Sequence, residues 1–125
     1  MPAVFASPDL PADLRAKGMT TYVVPVGPGT IFNGTEGTAL ASIIDGTSNT
    51  VIVVEAVPAK ALVWTKPEDL AIDPKDPRAG LSGQAGGGFN ALMADGSVRR
   101  IQDSLDPQLL NRLFQRNDGK SVTAP

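Results

Sequence analysis

The chain has 125 residues, of which 42% are hydrophobic and 19% are charged, and its formal net charge is −2. This length fits one domain, and the composition is that of a folded globular protein. With no His and no Cys, the sequence excludes imidazole bases, thiol nucleophiles, disulfides and His or Cys zinc sites. It has no basic field either, which excludes DNA and RNA as primary partners.

The sequence also lacks the features of membrane insertion. It has no apolar run of about 18 residues, the length that a membrane-spanning helix needs. Residues 1–18 lack the basic start and the apolar stretch of a signal peptide. We therefore expect no direct membrane insertion by this chain. If the native form is exported, we expect the targeting segment to have been cut away, replaced by Met1 or supplied by a partner.

The N-terminal arm, residues 1–18, predicts one short helix. We expect it from Asp9 to Lys17, because Asp9 or Ser7 is a suitable N-cap and Gly18 stands just past the end. A strand is then predicted from Thr20 to Pro25 by its β-branched and aromatic residues.

The segment from Thr50 to Ala56 is the strongest strand signal and predicts a central strand, because its β-branched residues form a continuous run. Glu55 lies near its end, and a carboxylate buried there needs a cationic or hydrogen-bonding partner. A short strand is expected from Leu62 to Thr65. The charged, proline-containing segment from Lys66 to Arg78 predicts a surface loop.

A β-hairpin is predicted from Phe89 to Ile101, because Asp95-Gly96 is a preferred pair for a two-residue type I′ turn. With that turn, Val98 and Ile101 fall on opposite faces of the hairpin, and both faces carry apolar groups. Two interpretations follow. Either the hairpin is covered on both sides, or a bulge after Gly96 shifts the register.

A helix is predicted from Asp106 to Asn117, with a tail at residues 120–125. Four residues form its apolar stripe, namely Leu109, Leu110, Leu113 and Phe114. We expect this helix to pack on the sheet. The fold class predicted for the single domain 1–125 is therefore α+β: an antiparallel sheet of short strands with a hairpin at 89–101 and a packed C-terminal helix.

One segment has the spacing of a calcium site. Asp45, Thr47 and Asn49 carry oxygen-bearing side chains at alternate positions, a spacing that can coordinate Ca²⁺ when other oxygens join it. The alternative, which we favour, is that Asp45 and Asn49 fold their own turn through local hydrogen bonds.

A second candidate site lies around Trp64, the only tryptophan. Together with Lys66, Glu68 and Asp69 it is a candidate surface for binding a glycan or a peptide. The competing interpretation is a half-buried Trp64 that anchors the loop after it.

Catalytic patterns are weak throughout. Ser82 misses the nucleophile-elbow spacing and has no histidine to take its proton. The glycines from Gly83 to Gly88 precede a strand and no Gly-Lys-Ser/Thr follows, so a phosphate loop is disfavoured. Neighbouring carboxylates such as Asp73 and Asp76 alternate with cations, which is typical of a solvated loop. We expect no enzyme.

Three segments in order resemble a known family: Ile44–Thr50 (IDGTSNT) running into Val54–Ala56 (VEA), then Trp64–Leu70 (WTKPEDL), then Gly88–Val98 (GFNALMADGSV). The resemblance covers about residues 20–118. The family is a domain of unknown function expanded in Planctomycetes, whose members typically begin with a prepilin-type segment. Its full-length members look like type II secretion pseudopilins, with a hydrophobic helix leading into a β-rich head.

This chain departs from that family at two places. Many members carry a His ten positions before the Asp of the Asp-Gly turn, where this chain has Ala85, and a Cys-Pro-Ser segment upstream, where it has Phe5-Ala6-Ser7-Pro8. A ligand role of that His would be absent here, and the missing prepilin helix puts pilus-like insertion in doubt.

The resemblance implies a pseudopilin-like globular head outside the cytoplasmic membrane, in the periplasm or on the cell surface. Our first hypothesis is a non-enzymatic assembly module that binds protein partners or further copies of itself as a homo-oligomer or filament. The alternative hypothesis is a cell-surface module that binds a glycan or peptide.

Overall fold

The structure is a computed structural model that describes residues 1–27, 30, 49–66, 68–73, 75–84 and 86–115. The chain is α+β and dominated by sheet, as the sequence predicts. The described part contains two α-helices, α1 (Ala12–Ala16) and α2 (Pro107–Phe114), and two short 3₁₀ helices, Ala3–Phe5 and Pro58–Lys60. Its eight strands are β1 (Met19–Thr20), β2 (Tyr22–Val23), β3 (Pro25–Val26), β4 (Val51–Glu55), β5 (Leu62–Val63), β6 (Leu70–Ala71), β7 (Gly88–Met93) and β8 (Val98–Gln102).

A four-stranded antiparallel sheet in the order β2-β4-β7-β8 forms the centre of the domain. Two short pairs accompany it, an antiparallel one of β1 with β5 and a parallel one of β3 with β6. The predicted central strand is confirmed, because β4 lies between β2 and β7. Its register shifts between Val51 and Val53, which marks an irregularity in the ladder with β7.

The prediction of one strand from Thr20 to Pro25 is wrong, because this segment is divided into three short strands with three different partners. The Thr20 hydroxyl accepts a hydrogen bond from the amide of Tyr22 at 3.2 Å and donates one to the carbonyl of Phe5 at 2.6 Å. Such local side-chain bonds compete with a regular ladder. Pro25 then has no N–H to continue one.

The prediction that residues 66–78 form only a surface loop is also wrong, because β6 lies within them. Leu70 is buried and Ile72 packs against the core. The amides of both residues donate at 2.9 Å, Leu70 to the carbonyl of Val24 and Ile72 to that of Val26. Two apolar side chains at alternate positions therefore bring this charged segment back to β3.

The hairpin is confirmed, but its turn is not type I′. Gly96 has φ +88°, whereas no described residue other than glycine has a positive φ. The amide of Met93 donates to the carbonyl of Ser97 at 2.8 Å, so residues 94–96 form a three-residue loop with the left-handed conformation at Gly96. The interpretation with a shifted register is therefore correct.

The shifted register separates the two faces of the hairpin. Phe89 pairs with Ile101 and Leu92 pairs with Val98. Ile101 is 0% exposed, whereas Val98 is 68% exposed. One extra residue in the loop thus places Ile101 on the core face with Phe89 and leaves Val98 on the open face.

Both helices are shorter than predicted. In α1 the N-cap is Pro11, without a side-chain hydrogen bond, so the predicted caps Asp9 and Ser7 are wrong. Gly18 does follow the helix with φ +68°. In α2 the Asp106 carboxylate accepts from the Gln108 amide at 2.8 Å, which is an N-cap.

Helix α2 ends before the predicted Asn117, because Gln115 is already extended, with ψ 137°. It packs against β4. Three of its four predicted apolar residues are fully buried, namely Leu110, Leu113 and Phe114. They join the hairpin face in one hydrophobic core, whose largest side chains are Phe89, Phe114, Leu81, Met93, Ile101, Leu110 and Leu113. The predicted tail at 120–125 lies outside the described residues.

Within the described ranges, none of the helices has the length and apolar character that crossing a membrane requires.

Candidate functional site

A cleft of about 360 Å³ lies between the N-terminal arm, the end of β4 and residues 83–84. We call it the arm cleft. Five of the side chains that line it are polar, namely Ser7, Asp9, Thr21, Glu55 and Gln84, and its largest apolar lining residues are Leu10, Val57 and Pro58. The lining therefore combines two carboxylates with an apolar wall and includes no cation among the described residues.

Glu55 is the central polar group of the arm cleft. It is only 7% exposed, because β4 carries it into the interior beside β2, where it pairs with Tyr22. Its Oε2 accepts a hydrogen bond of 2.5 Å from the hydroxyl of Ser7, which is itself buried. The sequence analysis predicted that a buried Glu55 needs a partner, and Ser7 is that partner.

Gln84 fixes the opposite side of the arm cleft. Its Nε2 donates to the carbonyl of Glu55 at 2.9 Å and to that of Leu81 at 2.8 Å. Next to it, the amide of Gly83 donates to Asp103 Oδ2 at 3.1 Å. These bonds hold the segment after Leu81 against the end of β4, so the cleft has defined walls on both sides.

An exposed apolar surface is the second candidate. The rings of Phe5 and Trp64 are stacked, with centroids 5.7 Å apart and an interplanar angle of 26°. They remain 41% and 42% exposed, and their chain neighbours Val4 and Val63 are exposed as well. We call these four residues the aromatic patch. It joins the N-terminal arm to β5 and the turn that follows.

Trp64 is held in place from the main chain. Its amide donates to the carbonyl of Gly18 at 3.0 Å, and a Cβ built on Gly18 would lie 3.4 Å from Trp64 Cδ1. Gly18 thus supplies both the positive φ after α1 and a close approach to the indole edge. The indole of Trp64 is 42% exposed, and its ring packs on Phe5.

The other predicted binding residues are Lys66, Glu68 and Asp69. Lys66 and Glu68 make an ion pair with each other at 2.6 Å, and both side chains are solvent-exposed. Asp69 is exposed too. An exposed pair of this kind contributes about 0–1 kcal/mol to stability, and the binding role of these three residues stays a prediction.

The remaining sequence candidates are placed as follows. Ser82 is exposed and is not one of the described residues that line the arm cleft. Asp73 Oδ1 accepts from the amide of Lys75 at 2.9 Å, which is a local turn. Among the described residues, no group of three or more Asp or Glu side chains is placed to hold a metal ion. Asp45 and Thr47 lie outside these residues, and Asn49 lies two positions before the start of β4, so the calcium hypothesis stays a prediction.

The predicted structural turn at Asp95 and Gly96 has its own electrostatics. Asp95 Oδ1 accepts from the Ser97 hydroxyl at 2.6 Å and from the Ser97 amide at 2.9 Å. These two hydrogen bonds, and to a lesser extent the charge of Arg99, lower the pKa of Asp95 below its ordinary value of 3.8. The carboxylate therefore stabilises the loop that sets the hairpin register.

Sequence reasoning missed three residues of the two candidate sites: Ser7, Gln84 and Phe5. Each meets its partner across a long stretch of chain, as with Ser7 and Glu55, which are 48 positions apart. The one available signal was Glu55 itself, a charged residue in an otherwise apolar strand.

Comparisons of this chain with protein-family models, with curated proteins and with solved structures give no significant match. The resemblance to the planctomycete family is therefore still a hypothesis based on the three sequence segments.

Proposed function

We propose that this domain is a non-enzymatic assembly module, and that it associates with further copies of itself through the aromatic patch. The observation that supports the proposal is the stacked pair of Phe5 and Trp64, whose rings remain 41% and 42% exposed. The extracytoplasmic location and the pseudopilin-like assembly belong to this proposal through the family resemblance.

The argument from the patch is energetic. Four of the five large hydrophobic residues that are exposed in the described part of the chain belong to it, and Val98 is the fifth. Single exposed apolar side chains are common, whereas two aromatic rings that stack at the surface form a continuous apolar area, as contact surfaces do. Aromatic residues are enriched at such contacts because they bury a large apolar area at a small cost in side-chain entropy.

The aromatic patch is also well ordered for a contact surface. The N-terminal arm carries Phe5, and the hydroxyl of Thr20 donates to the Phe5 carbonyl at 2.6 Å. The main-chain bond to Gly18 holds Trp64. A patch that is fixed before association loses less conformational entropy on binding than a mobile one.

The test is the molar mass in solution as a function of protein concentration, measured by light scattering and analytical ultracentrifugation. We expect the wild-type mass to rise with concentration and the Phe5→Ser variant to remain monomeric. Val98→Ser is the matched control, because it removes an exposed valine on β8, and it should associate like the wild type. A wild-type protein that is strictly monomeric at all concentrations would contradict the proposal.

A second candidate function is binding of a surface glycan or peptide, which the exposed face of the same indole supports. Trp64 is the only tryptophan, so its fluorescence reports directly on this surface. Titration with surface polysaccharide or peptide under monomeric conditions should change the Trp64 emission if this function holds. An unchanged emission would contradict it.

A further inference from the structure

We propose that the arm cleft is a binding site for a primary alkylammonium group, such as the side chain of a lysine residue. This inference uses residues outside the aromatic patch and is independent of the proposed function. It concerns the chemistry of one ligand group and is compatible with either candidate function.

The first argument is the uncompensated charge of Glu55. Its Oε2 is bonded to Ser7, whereas its Oε1 has no hydrogen-bond partner among the described residues. The one ion pair found in the described part of the chain is that of Lys66 with Glu68, so Glu55 has no cation within 4.0 Å there. Oε1 is not among the fully buried polar atoms of the described residues, so a cation bound in the arm cleft could pair with this carboxylate, which is only 7% exposed.

The second argument is the shape and lining of the arm cleft. Its volume of about 360 Å³ is near the lower end of the range for ligand pockets, roughly 300–1,000 Å³. Leu10, Val57 and Pro58 provide apolar surface for an alkyl stem, and the exposed Asp9 adds negative charge at its entrance. A lysine side chain has this composition, an aliphatic stem that ends in a compact charge.

The third argument distinguishes an ammonium group from a guanidinium group. Arg pairs best with a carboxylate through two parallel hydrogen bonds to both oxygens. Ser7 already donates to Glu55 Oε2, so a bidentate guanidinium group would have to share that oxygen with the hydroxyl, whereas Oε1 has no partner among the described residues. A single acceptor suits an ammonium group, which donates along independent directions.

Gln84 supports the same assignment. Both of its described hydrogen bonds are donated by Nε2, to the carbonyls of Glu55 and Leu81. Its N–H groups are thus committed, and the amide oxygen is its remaining polar atom. The polar side chains of the arm cleft therefore offer mainly acceptors, which a cationic donor satisfies and an anion does not.

The test is calorimetric titration of the full chain with Nα-acetyl-lysine N-methylamide. Three further ligands define the chemistry: the Nε-acetylated form of the same compound, the arginine analogue and free cadaverine. We expect the lysine compound to bind at least tenfold more tightly than the Nε-acetylated form, and several-fold more tightly than the arginine analogue. Cadaverine binding above that of the lysine compound would assign a free amine as the natural ligand, and the reverse order would assign a protein lysine.

The variants locate the site. Glu55→Gln should abolish binding, whereas Glu68→Gln, which makes the same change in charge on the surface, should bind like the wild type. Because Glu55→Gln also changes a residue of β4, amide chemical shifts of the wild-type protein are followed in the same titration. We expect the largest changes at Glu55, Val57, Gly83 and Gln84. Three outcomes would each overturn the proposal. The Nε-acetylated compound could bind as tightly as the lysine compound, the chemical shifts could change only outside the arm cleft, or the lysine compound could fail to bind at millimolar concentration.

Discussion

The hydroxyl of Ser7 donates a 2.5 Å hydrogen bond to the carboxylate of Glu55, although 48 positions separate the two residues. This bond ties the N-terminal arm to the central strand β4. A second bond, from Thr20 to the carbonyl of Phe5, fixes the arm two residues earlier. The arm therefore belongs to the packed domain, and it positions both the arm cleft and the aromatic patch.

The bond between Ser7 and Glu55 predicts a loss of stability when the hydroxyl is removed. Ser7→Ala leaves a nearly buried carboxylate without its donor, which costs about 1–3 kcal/mol. Urea unfolding at neutral pH measures this change as a lower midpoint with an unchanged slope.

The matched control for that prediction is the same substitution in a Glu55→Gln background. There no carboxylate is left unsatisfied, so Ser7→Ala should cost about 1 kcal/mol or less. Equal costs in the two backgrounds would show that the hydroxyl and the carboxylate are not coupled.

The register of the hairpin predicts opposite outcomes for two apolar residues of β8. Ile101→Ala removes a fully buried side chain and should cost about 2–5 kcal/mol. Val98→Ala truncates an exposed side chain, so its free energy of unfolding should stay within about 0.5 kcal/mol of the wild-type value. Thermal and urea unfolding of both variants check the register. A larger loss for Val98→Ala would indicate the two-residue turn.

Gly88 at the start of β7 is predicted to tolerate no side chain. A Cβ there would lie 2.5 Å from the carbonyl oxygen of Ile101. Gly88 and Ile101 belong to the paired strands β7 and β8, so the atom in the way is backbone and not the end of a flexible side chain. Gly88→Ala should therefore destabilise by about 1–3 kcal/mol. Gly27→Ala is the control, because its Cβ would meet the nearest atom, Ile72 O, at an ordinary 3.8 Å. We expect the free energy of unfolding of that variant to lie within about 0.5 kcal/mol of the wild-type value. Urea unfolding of both variants measures the difference.

The parts of the fold that the sequence predicted are those with a strong local signal. These signals are the continuous β-branched run of β4, the Asp-Gly turn pair of the hairpin and the helical spacing of the apolar residues in α2. The strand from Thr20 to Pro25 had the same composition, yet its partners lie at β4, β5 and β6. Which strands pair with each other depends on tertiary contacts. The division of residues 20–25 into three strands could therefore not be predicted from the local sequence.

The candidate site was less predictable than the fold. A charged Glu55 in an apolar strand signalled a need for a partner, but the sequence contains many hydroxyl and cationic groups that could satisfy it. Only the path of the arm selects Ser7. Likewise Trp64 was identifiable as the single tryptophan, whereas its stacking on Phe5 depends on where α1 and Gly18 return the chain.

The calcium hypothesis for the segment with Asp45, Thr47 and Asn49 can be tested by removing calcium with a chelator. If the segment is a turn held by its own hydrogen bonds, as we favour, the melting temperature is the same with calcium and with a chelator. If it binds Ca²⁺, calcium must raise the melting temperature, because a ligand of the folded state alone stabilises that state. In that case Asp45→Asn should reduce the rise, whereas Glu68→Gln should not.

The Asp95 loop predicts a pH dependence whose sign follows from its hydrogen bonds. Because the Ser97 side chain and amide lower the pKa of Asp95 below 3.8 in the folded state, folding favours the ionised form. The contribution of the ionised Asp95 to stability is present above the pKa of the unfolded state and is lost as the pH falls through the lower folded value.

Ser97→Ala removes the largest cause of the lowered pKa and should raise the Asp95 pKa towards 3.8. Arg99→Gln should raise it less, since the charge of Arg99 is a smaller cause. An NMR titration that follows the chemical shift of the Asp95 carboxyl carbon from pH 6 to acidic pH measures the pKa of Asp95 in both variants. Equal titration of Asp95 in the wild type and in Ser97→Ala would refute the role of the hydroxyl, and it would leave Gly96 as the main determinant of this loop.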